Sequence, residues 1–362
     1  METMLWILMA LLMALSVALV AAASSRGAVV CPACAREDRK RNGLKRLGLG
    51  IAIIGLAVLA GGGTAAVAEE KGLTSGQEIF QRFKDRYHGE DGVMDVRLLL
   101  TNKRGENRTI TLLRYRRREN GLASTVFFYV EPADVRGTAT LTVEQAGGED
   151  DQRIYLPSLL KHRRIASSDK GKSWMGTDLR YEDLQERKPE DFTYSAVDSD
   201  AIDEAPCYHF TMTPKRPEVS AYGKLEYWVR KKDFEMPQGR YFDKKSRLVK
   251  VMRMGHIIAV PDSSGKKQIN SPTWMMMYNL EDAHKTIMIT DRAAYNVGLP
   301  GDTFTARFLE SVVPPGFKGG TVTKPREEEY LNFDPEIVKN WKVGSGLDTR
   351  LASSGAPRAA KP

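Results

Sequence analysis

From Val93 onward the chain is written in short β-prone runs broken by turn residues. Val93–Leu100, Thr109–Arg116, Thr125–Val130, Thr138–Val143 and Arg153–Leu156 are such runs, and Lys103-Arg104-Gly105, Glu119-Asn120-Gly121 and Gly147-Gly148-Glu149-Asp150 punctuate them. Tyr208–Thr213, Lys224–Arg230, Gly239–Phe242, Leu248–His256, Thr273–Asn279 and Thr286–Thr290 continue the pattern, which makes eleven strands. Residues 74–87 read differently. Thr74 or Ser75 caps a helix there, Glu78 sits near its start, and Ile79, Phe80 and Phe83 fall at helical spacing. So many strands with no long helix between them predict an all-β, mainly antiparallel sheet, sandwich or barrel. Asp302–Leu309 predicts a short helix or a last strand. Residues 333–362, rich in Gly, Ser, Ala, Pro and charge, predict a disordered tail.

The alternation itself is unusual. A sheet with one wet face alternates apolar and polar positions. Val126–Val130 and Trp274–Tyr278 are instead apolar at both parities, and Tyr227-Trp228-Val229 and Ile287-Met288-Ile289 are similar. Strands of this kind need cover on both sides. Either they form a plain sandwich core, or they belong to a curved sheet whose concave face lines a cavity. Methionine suits the second arrangement, since a flexible thioether adapts to irregular apolar ligands.

The N-terminus carries a different pattern. Leu5–Ala23 is one apolar run long enough to span a bilayer. A basic block, Arg36–Arg46, precedes a second apolar run, Leu47–Ala60, and a small-residue segment ending Ala66-Val67-Ala68. Basic region, apolar core and small-residue site make an export signal, with cleavage expected after Ala68. Two readings of residues 5–23 stay open. In one they are an inner-membrane anchor whose basic flank stays cytoplasmic. In the other, which is preferred because the signal is complete from Arg39 onward, translation starts downstream and residues 1–35 are not made. The expected organisation is therefore 1–68 as hydrophobic extension plus signal peptide, 69–332 as the β domain and 333–362 as the tail.

Charge and cysteine change little. Of the net +8, residues 1–68 carry +4 (seven Lys/Arg against three Asp/Glu), leaving +4 on the rest. A diffuse excess of that size describes a solvated surface, and no clustered arm argues for nucleic acid. Cys31 and Cys34 have no second pair to complete a zinc site and lie upstream of the expected cut. Cys207 then remains alone, and reads as a small core residue.

Catalytic signatures do poorly. Ala166–Ser173 (ASSDKGKS) is one glycine short of a phosphate-binding loop, follows a basic stretch and is interrupted by Gly176. His162 with Ser167 or Ser168 and Asp169 spells the parts of a triad, but near neighbours on a polar loop seldom hold its geometry. Tyr181-Glu182-Asp183 reads as a cap, or as ion-pair partners of Arg163 or Arg164. No enzyme and no cofactor or metal are expected.

Several phrases in order resemble a known family. They are Pro132–Thr138 (PADVRGT), Ile154–Pro157, Arg163-Arg164-Ile165, Trp174–Asp178 (WMGTD), Tyr181–Leu184 (YEDL), Lys224–Arg230, Tyr241–Lys244, and Asn279-Leu280 with His284-Lys285-Thr286. Together these resemble the outer-membrane lipoprotein-sorting proteins of the LolA/LolB-like superfamily, over roughly Leu73 to Leu309. The usual Phe and Ser of that pattern stand here as Trp174 and Thr177. The resemblance implies a strongly curved, open half-barrel sheet of about eleven strands, with one N-terminal helix and short helices or loops packed in its concave face. It implies a non-catalytic periplasmic carrier of lipid or lipoprotein acyl chains, expected as a monomer. The alternative is an accessory of an RND-type transporter. For the cavity lining, the two-sided apolar strands offer Phe128, Val130, Tyr155, Trp174, Trp228, Trp274, Met276 and Tyr278.

Overall fold

The computed structural model describes residues 75–311, 317, 319–331, 333–340 and 342–343, all within the unit Gly72–Pro362. Leu5–Ala23, Cys31, Cys34 and Ala68 lie outside the described residues. Among the described residues no helix is long and apolar enough to cross a membrane.

Helix α1 (Gly76–Lys84) comes first and buries Ile79 and Phe80. Six strands follow: β1 (Asp91–Thr101), β2 (Asn107–Glu119), β3 (Leu122–Glu131), β4 (Ala139–Val143), β5 (Asp151–Leu156) and β6 (Lys161–Arg164). After a long connection come β7 (Phe192–Tyr194), β8 (Asp198–Ile202), β9 (Ala205–Pro214), β10 (Lys224–Arg230) and β11 (Gln238–Phe242). Then β12 (Leu248–Pro261), β13 (Gln268–Asn279) and β14 (His284–Tyr295) complete the main ladder. Short pieces close the described chain: α2 (Ala306–Leu309), β15 (Thr321–Val322), α3 (Glu327–Leu331) and α4 (Pro335–Lys339).

All pairings are antiparallel, and the strand order is β6-β5-β4-β3-β2-β1-β14-β13-β12-β11-β10-β9-β7, with β8 on β9 and β15 on β14. This is one open sheet of 15 strands, its ends β6 and β7 unpaired with each other. Each of the eleven expected strands is present. The four additional ones, β6, β7, β8 and β15, are short, sit on edges and have little apolar alternation to announce them. Lys161-His162-Arg163-Arg164 is a strand because β5 offers free backbone groups, not because of its side chains. Asp302–Leu309 resolves into a 3₁₀ turn, Gly301–Phe304, followed by α2.

The sheet curls around one face. Residues from β5 at one end (Ile154) and from β9 and β10 at the other (Phe210, Met212, Leu225, Tyr227) join the same buried cluster with Ile79 and Phe80 of α1. The connection 165–191 crosses this inner face as a plug. Trp174, fully buried, packs on Phe127 and Tyr129 at 4.9 and 6.0 Å between ring centres.

The opposite, outer face is covered by C-terminal pieces. Phe304, Phe308 and Leu309 lie over Val93, Leu113, Tyr115, Val126 and Phe128. Tyr330 of α3 lies over Trp274, Met276, Ile287 and Ile289, and Ile337 of α4 over Cys207 and Trp228. The expected tail from residue 333 thus opens with a packed helix, in which Val338 is buried and its carbonyl accepts Arg240 Nε at 2.8 Å. Burial on both faces explains the apolar strands at both parities.

Candidate functional site: a methionine-lined hollow on the inner face

Side chains of one parity meet in a hollow of about 300 Å³ between α1, the plug and the inner face. Its apolar wall is Phe80 and Phe83 from α1, Phe127 from β3, Tyr227 and Tyr241, and the methionines Met236, Met252, Met254, Met275, Met277 and Met288. Phe80 packs on Phe83 at 5.6 Å and on Tyr227 at 6.0 Å, so α1 forms one firm side. The methionines form a pliable one. Met254, Met275 and Met288 are only partly buried.

The rim is charged, and most charges on it are paired. Lys84 meets Glu144 at 3.3 Å, Arg187 meets Asp183 at 2.9 Å, and Arg118 meets Glu186 at 3.4 Å. Arg114 lines the hollow without a hydrogen-bond or ion-pair partner among the described residues; its Nε is shielded from solvent and unsatisfied. Its guanidinium carbon stands 5.5 Å from the Phe127 ring centre. Burial lowers its pKa from the ordinary arginine value.

The plug is held on both flanks by the residues of the family phrases. Asp178 is the central one. Its carboxylate accepts Thr286 Oγ1 at 2.7 Å and lies 2.6 Å from His284 Nδ1, its backbone N–H donates to Thr286 Oγ1 at 2.9 Å, and its carbonyl accepts Lys250 Nζ. Burial pushes the Lys250 ammonium below its ordinary pKa, although Asp183 and Asp178 oppose that. On the other flank, Glu182 accepts Ser220 Oγ at 2.5 Å and Ala221 N–H at 2.8 Å, and Asp183 accepts the Tyr222 hydroxyl at 2.9 Å. Asp183 also caps the 3₁₀ turn Tyr181–Leu184 by accepting Arg180 N–H at 2.8 Å. The capping role expected for this triplet is present. Its ion partners are Arg187 and, at 4.0 Å, Lys250, not Arg163 or Arg164, and Arg164 instead faces Asp151 at 3.5 Å.

The eight residues proposed from sequence do not meet in this hollow. Phe128, Val130 and Tyr155 belong to the outer cluster under α2, Trp274 and Met276 to that under α3, and Trp228 to that under α4. Tyr278 follows the parity of Met276 on β13 and has Glu336 and Asp334 of the C-terminal segment as its charged neighbours. Of the eight, Trp174 alone sits on the inner face, as part of the plug beside the hollow. The lining side chains are the immediate neighbours, Phe127, Tyr227, Met275 and Met277. A side-chain period of two means that a choice off by one residue selects the other face.

The other sequence candidates separate. His162 Nδ1 lies 2.6 Å from Glu310, Ser167 Oγ donates to Glu149 at 2.6 Å and Asp169 pairs with Lys172 at 2.7 Å, so no triad forms. Lys172 is exposed, and Ser167–Asp169 is a 3₁₀ turn, not the start of a phosphate-binding helix. Cys207 is fully buried beside Trp228, and burial pushes its thiol up to about 12, the opposite of an activated nucleophile. Among the described residues no cluster of His, Cys, Asp or Glu is arranged to hold a metal.

A family model described as "Uncharacterized protein" matches residues 121–311, just over half of the chain. The chain belongs to this family. Among solved structures, it is similar to an outer membrane lipoprotein-sorting protein domain from Vibrio parahaemolyticus, with 24% identity and a TM-score of 0.60, covering 65% of this chain and 98% of that one. It is similar to a DUF1329 family protein from Desulfovibrio piger, with 26% identity and a TM-score of 0.59 over 64% of this chain and 97% of that one. A LolA superfamily protein from Nitrosomonas europaea shares the fold at 17% identity and a TM-score of 0.51, covering 66% and 100%. No curated protein matches the chain. The resemblance to LolA/LolB-like lipoprotein-sorting proteins read from WMGTD, YEDL and the accompanying phrases is borne out at the level of the fold, which this chain shares with those domains.

Proposed function

We propose that this protein is an exported, non-catalytic carrier of the cell envelope that shields an acyl chain of a lipid or lipoprotein in the inner-face hollow. The observation that carries the reading is the hollow itself, a space walled by six methionines and five aromatic rings, open at a charged rim and held between α1 and a bonded plug. A fully packed sandwich has no use for such a space. Each methylene moved from water into it gains about 0.8 kcal/mol, so a short length of chain is enough for reversible binding. Thioether side chains re-rotamerise at low cost, which suits an occupant of variable chain length. The fold shared with lipoprotein-sorting and LolA superfamily domains supports the same reading.

The mechanism needs no proton transfer. The aromatic wall from α1 and β10 is fixed, the methionine wall adjusts, and the plug residues 183–187 stand at the mouth. Release then amounts to transferring the chain to an acceptor that offers an equally dry surface. The test is native mass spectrometry of protein purified without detergent from envelope extracts. Bound lipid should be detected with the natural chain and lost with Met275→Glu, which places a charge in the hollow. Protein that is always empty, or that retains lipid regardless of that substitution, would overturn the proposal.

A further inference from the structure

Around the hollow the charged side chains are matched one to one, with a single pair of exceptions on β2. Arg114, Arg116 and Arg118 alternate along that strand and share its inner face with Ile110 and Leu112. Arg118 has Glu186, and nearby Arg86 has Glu235 at 2.6 Å. Among the described residues Arg116 donates Nη1 to the His88 carbonyl at 3.3 Å and has no carboxylate partner. Among the described residues Arg114 has neither a carbonyl nor a carboxylate.

A guanidinium carries five N–H donors, and leaving them unfilled away from water is costly unless something takes them. Arg187 and Arg118 also have a shielded Nε, but each keeps a carboxylate on its terminal nitrogens. Arg114 is different because no described residue takes any of its N–H groups: its Nε is shielded, its terminal nitrogens stay accessible, and it borders an apolar space. His88 reports the local potential. Burial, together with Arg116, Arg86, Arg118 and Arg114, pushes its imidazole down to about 2, so the site is positive and repels a further cation.

We propose that Arg114, seconded by Arg116 about 7 Å along the strand by ideal β geometry, anchors the anionic head of an amphiphile whose acyl chain occupies the methionine hollow. The recognising chemistry is a phosphate or carboxylate held by a planar two-pronged donor, which arginine supplies and lysine does not. This rests on the carrier reading and adds to it a preferred class of cargo. Anionic amphiphiles are taken, and neutral ones of the same chain length bind more weakly. It also accounts for an unpaired arginine that stability alone would disfavour.

The test uses the full chain and three probes in isothermal titration calorimetry, the two amphiphiles below their micelle concentrations: dodecyl phosphate, dodecyl maltoside and inorganic phosphate. Dodecyl phosphate should bind about tenfold or more tightly than dodecyl maltoside, as expected for hydrogen bonds to a charged group. Arg114→Gln should abolish that preference while leaving dodecyl maltoside binding in place, and Arg114→Lys should restore it only in part. Circular dichroism melting of each variant shows that the fold is kept. Equal binding of the two amphiphiles by the natural chain overturns the head-group site and leaves the carrier reading standing. Inorganic phosphate binding as tightly as dodecyl phosphate overturns it as well, since the anion is then free phosphate and not the head of an amphiphile. Failure of both amphiphiles to bind overturns the site and the carrier reading together.

Discussion

The two faces of the same strands are built for different ends. On β13, Trp274 and Met276 point outward under α3, while Met275 and Met277 point inward toward α1 and the plug. The outward pair is sealed. Trp274 packs at a tilt against Tyr330, 5.8 Å between ring centres, and donates its indole N–H to Glu329 at 3.1 Å. It also requires a glycine opposite: a Cβ on Gly255 would come within 2.4 Å of the Trp274 ring. The inward side leaves about 300 Å³ unfilled and sets an unpaired arginine at its edge. The outer face also keeps a cavity, of about 240 Å³ beside Trp274, but charged groups crowd its wall: Asp203, Arg230, Arg253, Arg326, Glu329 and Asp334. What differs is the lining, apolar and pliable on the inner side, and that difference separates the two spaces.

The comparison breaks most readily on the sealed face. Trp274→Ala should cost about 3–5 kcal/mol, as truncation of a large buried aromatic does, measured by urea unfolding. A loss below about 1 kcal/mol would mean that the outer cover is not a true core. Gly255→Ala, which adds one methyl against the same ring, should cost about 1–3 kcal/mol through forced displacement, with a matching change in near-ultraviolet circular dichroism.

Cys207 sharpens the point through pH. Burial holds its thiol protonated in the folded chain up to about 12, whereas the unfolded thiol ionises near its ordinary value of 9.0. Above that value the unfolded state sheds a proton that the folded state keeps, so stability falls with rising pH by about 1.4 kcal/mol per unit. Cys207→Ala should flatten that decline between pH 9 and 10, before the unfolded tyrosines contribute. An unchanged slope would show that the outer face admits solvent.

The inner face should respond in the opposite sense. Arg114→Met removes a shielded charge without a partner and should raise the unfolding free energy by about 1 kcal/mol, while weakening anionic ligands. Met275→Gln, at a partly buried site already lined by pliable side chains, should change stability by less than about 1 kcal/mol yet reduce lipid retention. A large destabilisation there would make the hollow an ordinary core.

Much of this molecule was readable in order. Turn chemistry at Lys103-Arg104-Gly105 and Glu119-Asn120-Gly121 announced the β1–β2 and β2–β3 hairpins, the helical spacing of residues 74–87 marked α1, and Asp302–Leu309, read as helix or strand, proved the helical choice. The phrases WMGTD, YEDL and HKT were recognisable as family markers. Their physical role was not, because Asp178 and Thr286 lie 108 residues apart and only folding joins them into the plug's fastening. Arg114 left no motif at all. It stands among four arginines in the five positions Arg114–Arg118, where sequence cannot tell a paired guanidinium from an orphan.

By itself the sequence determined an antiparallel all-β domain, the existence of cover on both sides of its strands, and the absence of any spaced catalytic motif. It did not determine which parity faced which cover. In Val126–Val130 and Trp274–Tyr278 both parities are apolar, so the period of two that normally labels inside and outside is silent. The label was assigned by segments remote in sequence: α1 and the plug settle on one face and leave an apolar space, and α2, α3 and α4 cover the other. Local pattern can say that a strand will be buried twice. Only the packing of those distant segments decides on which side a space is left.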